Sequence, residues 1–145
     1  MRYAFSLLQT LFVVVFIGGI VGVTMRYASL GAKHYADSYT HEQAELFMQS
    51  ASEAALLRLS AYDRSSGSCM KNLTISSSDG KFDANVTIER YYLADGTTCN
   101  NTPYTSIQSE ESHGMISMRI VVTSNGANPK ILHGVRLERR SLQHP

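Results

Sequence analysis

The chain has no tryptophan, only three prolines and two cysteines, and few charges, and each shortage excludes something. No proline precedes Pro103, and Gly31 is the only glycine between Gly22 and Gly67, so nothing local interrupts a helix through the first third of the chain. Charged residues make up 17% of the 145, below the ~25% of average soluble domains, and the net charge is +1. That balance gives no global reason to expect nucleic acid as a partner. Gly-x-Ser-x-Gly, His-Glu-x-x-His and phosphate-cradling glycine loops are all missing, so the reading is non-enzymatic, with no cofactor and no metal. Length excludes a two-domain enzyme or a barrel of ~250 residues.

What is present is uneven. Phe5 to Met25 carries no charge and is bounded by Arg2 and Arg26. At ~1.5 Å per residue this run spans ~31 Å, matching a hydrocarbon core of ~30 Å. It is longer than a secretory h-region and lacks an Ala-x-Ala site after it, so it reads as a lipid-embedded anchor. Arg2 on one flank and Arg26 with Lys33 on the other leave the positive-inside rule balanced. The cysteines bear on orientation instead. An even pair, Cys69 and Cys99, without Cys-x-x-Cys spacing or a nearby histidine, suits a disulfide in an oxidising compartment, with two free thiols as the alternative.

The helix continues beyond the anchor. Ala44, Phe47, Ala51, Ala54, Ala55 and Leu59 recur at spacings of three and four, one face of an amphipathic segment. It is expected to end near Asp63 to Gly67, with Gly67 as a candidate cap. Strand patterns follow. Leu73–Ile75 is short and β-branched, and Phe82, Ala84, Val86 and Ile88 alternate with polar residues. Ile116, Met118, Ile120 and Val122 do the same, and Ile131, His133, Val135 and Leu137 complete a last strand after the turn at Asn125–Pro129. Residues 94–112 read as a long polar loop holding Cys99. The expected fold is α+β: a long N-terminal helix, half in lipid and half amphipathic, packed on three or four antiparallel strands as a lollipop. The divisions are a basic leader at 1–4, a transmembrane helix at 5–25, its amphipathic extension at 26–63 and a sheet head at 64–145.

The N-terminus, Ala4-Phe5-Ser6-Leu7-Leu8-Gln9-Thr10-Leu11 behind a leader with one arginine, resembles the signature of type IV pilins and type II secretion pseudopilins. Phe5, Ser6, Leu7, Leu8 and the Ile17-Gly18 pair carry the likeness, which covers about the first twenty residues. The chain departs from the pattern in Ala4, where the leader's last residue is usually glycine. It departs again in Gln9, which replaces a glutamate (the K-type minor pseudopilin also lacks it), and in having no proline after the apolar run. The resemblance therefore implies an atypical minor member, processed between Ala4 and Phe5 by a prepilin peptidase. Its implied partners are other pilin-like subunits, through the N-terminal helix, and an inner-membrane assembly platform. Its head would lie in the periplasm, or outside the cell within a filament. Gln9 and the Gly18-x-x-x-Gly22 face are the expected helix-assembly positions. The other reading is a single-pass anchored adaptor or scaffold that does not polymerise.

Remaining candidates are weaker. His34, Asp37 and His41 share a helix face but lack further ligands, so a solvated face is expected. His113 and His133 fall on predicted strands as packing or surface residues. Lys130, Arg136, Arg139 and Arg140 make a basic C-terminal strand, read as a solvated edge that discourages strand pairing. Asp83-Ala84-Asn85-Val86-Thr87 fits an acidic-extended N-glycosylation sequon at Asn85, placed within a strand.

Overall fold

The computed structural model describes residues 2–63, 67–108, 114–129, 131 and 133–144, with side chains described from Leu7 onward. One helix, α1, runs from Arg2 to Ser60, followed by β1 (Asn72–Ser76), β2 (Phe82–Ala94), β3 (Tyr104–Ile107), β4 (Ile116–Ser124) and β5 (Arg136–Gln143). Two compact units divide the chain, residues 1–39 and 40–145.

The first unit is helix alone. It belongs to a helix long and apolar enough to cross a membrane, and its apolar side chains from Leu7 to Leu30 are exposed within the single chain. Water does not favour such a surface and lipid does. Its two threonine hydroxyls in the apolar run are already satisfied: Thr10 donates to the Leu7 carbonyl at 2.9 Å and Thr24 to the Val21 carbonyl at 2.9 Å. This back-bonding removes the cost of carrying a hydroxyl into hydrocarbon.

In the second unit the final turns of α1 lie on the sheet. The buried face is Ala44, Met48, Ala51, Ala55 and Leu59, with Phe47 and Leu56 at its margins. Met48 joins the expected face, whereas Ala54 is half-buried at its edge. Three alanines let the helix backbone lie close to the sheet, and Phe47 stacks on Phe82 with centroids 6.0 Å apart. The helix ends at Ser60, earlier than the Asp63–Gly67 expectation. Ala61 N–H still reaches the Leu57 carbonyl, and Tyr62 N–H tightens to the Leu59 carbonyl. Gly67 is not the cap. Its φ of +71° serves a separate turn whose carbonyl accepts from Asn100 N–H, and Asn100 Nδ2 lies only 3.1 Å from where a Cβ would stand.

The sheet runs β1-β2-β4-β5, antiparallel throughout, and β3 lies parallel to β2 on the same side as β1. Ala84, Val86 and Ile88 of β2 and Ile116, Met118, Ile120 and Val122 of β4 face the helix and are buried. Two expectations change, and β2 carries more than its alternation reported. It runs to Ala94, where the loop was expected to begin, and past Ile88 a register shift between Ile88 and Arg90 flips the alternation and turns Tyr91 and Leu93 inward. The polar loop after it contains β3. The last strand begins at Arg136, so Ile131, His133 and Val135 precede it; Ile131 closes a turn on the Asn128 carbonyl.

The β1–β2 turn is organised by Asp79. Its carboxylate accepts from the Ser77 hydroxyl at 2.8 Å and from Lys81 N–H at 3.2 Å, and pairs with Lys81 Nζ at 3.1 Å. Lys81 Nζ also donates to Gln43 Oε1 of α1 at 3.2 Å, tying turn to helix. The Ser77 hydrogen bond first, then Lys81, holds the Asp79 carboxyl below its usual range. A folded-state pKa below the unfolded one stabilises the turn above the unfolded value and is lost as pH falls through the folded one. Amide exchange at Lys81 should therefore accelerate as pH falls below the ordinary carboxylate range more than at sheet-centre amides, and Asp79→Asn should remove the difference.

Candidate functional site

The sequence points to two regions, the N-terminal helix and the cystine of the head. In the first, Gln9 is exposed on α1, and its side chain makes no hydrogen bond among the described residues, unlike Thr10 and Thr24. An amide carried into hydrocarbon unpaired costs on the order of 4–8 kcal/mol, so a partner in another molecule is favoured. Gly18 and Gly22 stand one turn apart on one helix face, and a Cβ at either, or at Gly19, would meet nothing within 4 Å. The single chain gives these glycines no packing role, leaving that face open to a second helix. Ala4 and Phe5 lie in the first turns of α1, and their side chains are outside the described residues.

Cys69 and Cys99 are joined, with Cα atoms 5.5 Å apart and both residues buried. The bond fastens the segment leaving α1 to the loop between β2 and β3. Asn101 reinforces it: its side chain accepts from Cys69 N–H at 2.9 Å and donates to the Cys69 carbonyl at 2.8 Å. Tyr91, 1% exposed, donates its hydroxyl to the neighbouring Met70 carbonyl at 2.6 Å. Neither partner was legible beforehand. Asn101 sat in a polar loop, and Tyr91 lay beyond the bulge that ended the visible alternation.

The other candidates resolve differently. Nδ1 of His41 faces Glu45 one turn along at 3.6 Å, and no group of three or more histidine, cysteine, aspartate or glutamate side chains suited to a metal occurs among the described residues. His133 is exposed ahead of β5 rather than on a strand, and His113 and Lys130 lie outside the described residues. Arg140 is not a loose cation. On the sheet face away from the helix, its Nε lies 3.5 Å from Glu89 and 3.9 Å from Glu138, and Arg119 reaches the same two carboxylates. Exposure makes this network worth little in stability, and it offsets Arg140 while Arg136 and Arg139 leave β5 basic. Asn85 is exposed on that same face, between Thr74 of β1 and Val121 of β4, with its backbone inside the sheet.

No protein-family model, curated protein or solved structure matches the chain.

Proposed function

We propose that this chain is a non-enzymatic, minor pilin-like or pseudopilin-like subunit of a cell-envelope filament or secretion machine, assembled through its N-terminal helix. The carrying observation is the first unit itself. It is an apolar helix whose Thr10 and Thr24 hydroxyls are internally satisfied, yet among the described residues it keeps an unpaired side-chain amide at Gln9 and an open Gly18–Gly22 face. A helix serving only as an anchor needs neither feature, whereas a helix packing against its like uses both. The prepilin-like residues Phe5 to Leu8 support the same reading, and the cystine supports a head in an oxidising compartment such as the periplasm. On this reading the partners are the bilayer, the prepilin peptidase, an inner-membrane assembly platform and other pilin-like subunits. Nucleic acid is not among them.

Ala4 favours a second reading, an anchored adaptor or scaffold that is never processed and does not polymerise. Mass analysis of the N-terminus of membrane-extracted protein separates the two. The filament reading expects a chain beginning at Phe5, or one that begins there once Ala4→Gly restores the usual leader residue. Met1 retained in both forms would leave the adaptor. In the processed chain the new α-amine stands in low dielectric, and Gln9→Glu would give it a charged partner on a neighbouring subunit. Charge-assisted bonds are about twice as strong as neutral ones. Helix cross-linking should therefore rise with Gln9→Glu in the processed form alone, and equal yields in processed and unprocessed chains would count against helix-mediated assembly.

A further inference from the structure

The sheet has two edges, one shared by β1 and the short β3 and the other formed by β5, and the hydrogen-bond phase of β1 and β5 can be fixed. Ser124 N–H donates to the Val135 carbonyl, so in β5 the odd-numbered backbone groups turn toward β4 and those of Arg136, Glu138, Arg140 and Leu142 turn outward. Ile88 N–H donates to the Lys71 carbonyl and Ser77 N–H to the Phe82 carbonyl. By the same alternation, Asn72, Thr74 and Ser76 of β1 present their backbone groups outward. On both strands these residues carry their side chains away from the helix, while Leu73, Ile75, Leu137 and Arg139 face the helix side. Because the order β1-β2-β4-β5 is antiparallel throughout, β1 and β5 run in opposite directions.

We propose that β5 of one copy pairs antiparallel with β1 of a second copy, joining heads edge to edge into a continuous sheet. The two edges agree in strand direction, in backbone phase and in which face looks toward the helix. Beside β5 lies an open groove of about 630 Å³, mixed in character, whose walls include Leu46, Met48 and Leu137 but also Glu42, Glu45 and Arg139, and Leu73 and Ile75 of the incoming strand, half-buried in the single chain, would reach its apolar part. Side-chain chemistry selects the register. Setting Glu138 opposite Thr74 places Leu137 opposite Ile75, Arg136 opposite Ser76 and Arg140 opposite Asn72, with Ser76 already bonded to Asp83. In that register Arg139 falls opposite Leu73, its aliphatic stem beside the leucine; a slip of two residues one way sets Arg139 against the like charge of Lys71, and the other way moves Leu137 off the apolar pair.

A second copy using β5 for β5 is the competing arrangement. It sets the Thr40–Ser60 segments running in opposite directions, whereas the β5–β1 arrangement keeps them parallel. The inference rests on the anchoring part of the proposed function and is independent of leader processing.

Within one chain Thr74 and Glu138 stand on edges separated by two strands, about 14 Å apart, so a direct disulfide between them can form only between copies. Thr74→Cys and Glu138→Cys full-length chains should be expressed together in membranes, oxidised mildly and separated without reductant. A dimer is expected from the mixture and from neither variant alone. Absence of dimer in the mixture overturns the proposal, and so does a dimer from Glu138→Cys alone, which reports β5–β5 pairing. Arg140→Pro removes an outward-facing N–H and no bond to β4, so the head should still melt normally. Added to the Glu138→Cys chain, it should lower the cross-link about tenfold, the effect of losing interchain backbone bonds. An unchanged yield would show that β5 is not pairing through its backbone. The outcome does not depend on whether Met1 is retained, so this proposal and the filament reading fail separately.

Discussion

Removing the Cys69–Cys99 bond is expected to lower the melting temperature of the head by roughly 12 °C or more in detergent-solubilised full-length protein. The two residues are 30 apart in sequence, and closing a loop of that length restricts the unfolded chain by ~3–4 kcal/mol. For a unit of about this size each kcal/mol shifts melting by ~4–8 °C. Cys69→Ser with Cys99→Ser should show the full loss, and reductant on the wild type should approach it. Both positions are buried, so two serine hydroxyls add a polar cost that alanine pairs would not. Comparing the serine and alanine pairs separates the crosslink from the burial. A shift under about 4 °C in the alanine pair would mean that Asn101 and Tyr91 already hold this corner without the bond.

That corner also marks how far the sequence could be followed. The helix, the inward residues of β2 up to Ile88 and all of β4 were legible, because each buries one face and alternation or three-four spacing reports burial directly. Legibility failed wherever burial stopped being periodic. The bulge after Ile88 shifts the inward set from even to odd residues, so Tyr91 and Leu93 drop out of any fixed-period pattern. β3 pairs with β2 alone, and only Thr105 and Ile107 are half-buried, too few to stand out from a polar loop. β5 was misplaced for a different reason. The alternation of Ile131, His133, Val135 and Leu137 reads as a strand, yet pairing begins at Arg136 and runs through arginines to Gln143. An outer strand needs only one half-buried face, and charge there does not forbid it.

At the proposed assembly positions the situation is reversed. Gln9, Gly18 and Gly22 could be singled out from residue type because a polar or very small side chain is conspicuous in an apolar run, yet a single chain leaves all three without contacts to test. Partners in the bilayer are written into the sequence as departures from pure hydrophobicity, and read out only when a second helix is present.

The last turns of α1 offer a sharper test, since Leu57 and Leu59 are two residues apart and face opposite ways. Leu59 is 1% exposed and belongs to the helix–sheet core, whereas Leu57 is 71% exposed. Leu59→Ala should destabilise the head by ~2–5 kcal/mol, the cost of a lost side chain plus the cavity it leaves against the sheet. Leu57→Ala should change stability by less than about 0.5 kcal/mol, the range of surface substitutions. Urea unfolding of the solubilised protein measures both; similar losses at the two sites would show that this helix face is misassigned. The contrast matters for function as well as fold. Leu57, with Leu46 three turns earlier on the outward side, is apolar surface that the head does not use for its own stability. Because Leu57→Ala leaves the head folded, any fall in assembly it causes in membranes reports a contact with a neighbouring molecule, whereas a fall caused by Leu59→Ala reports unfolding.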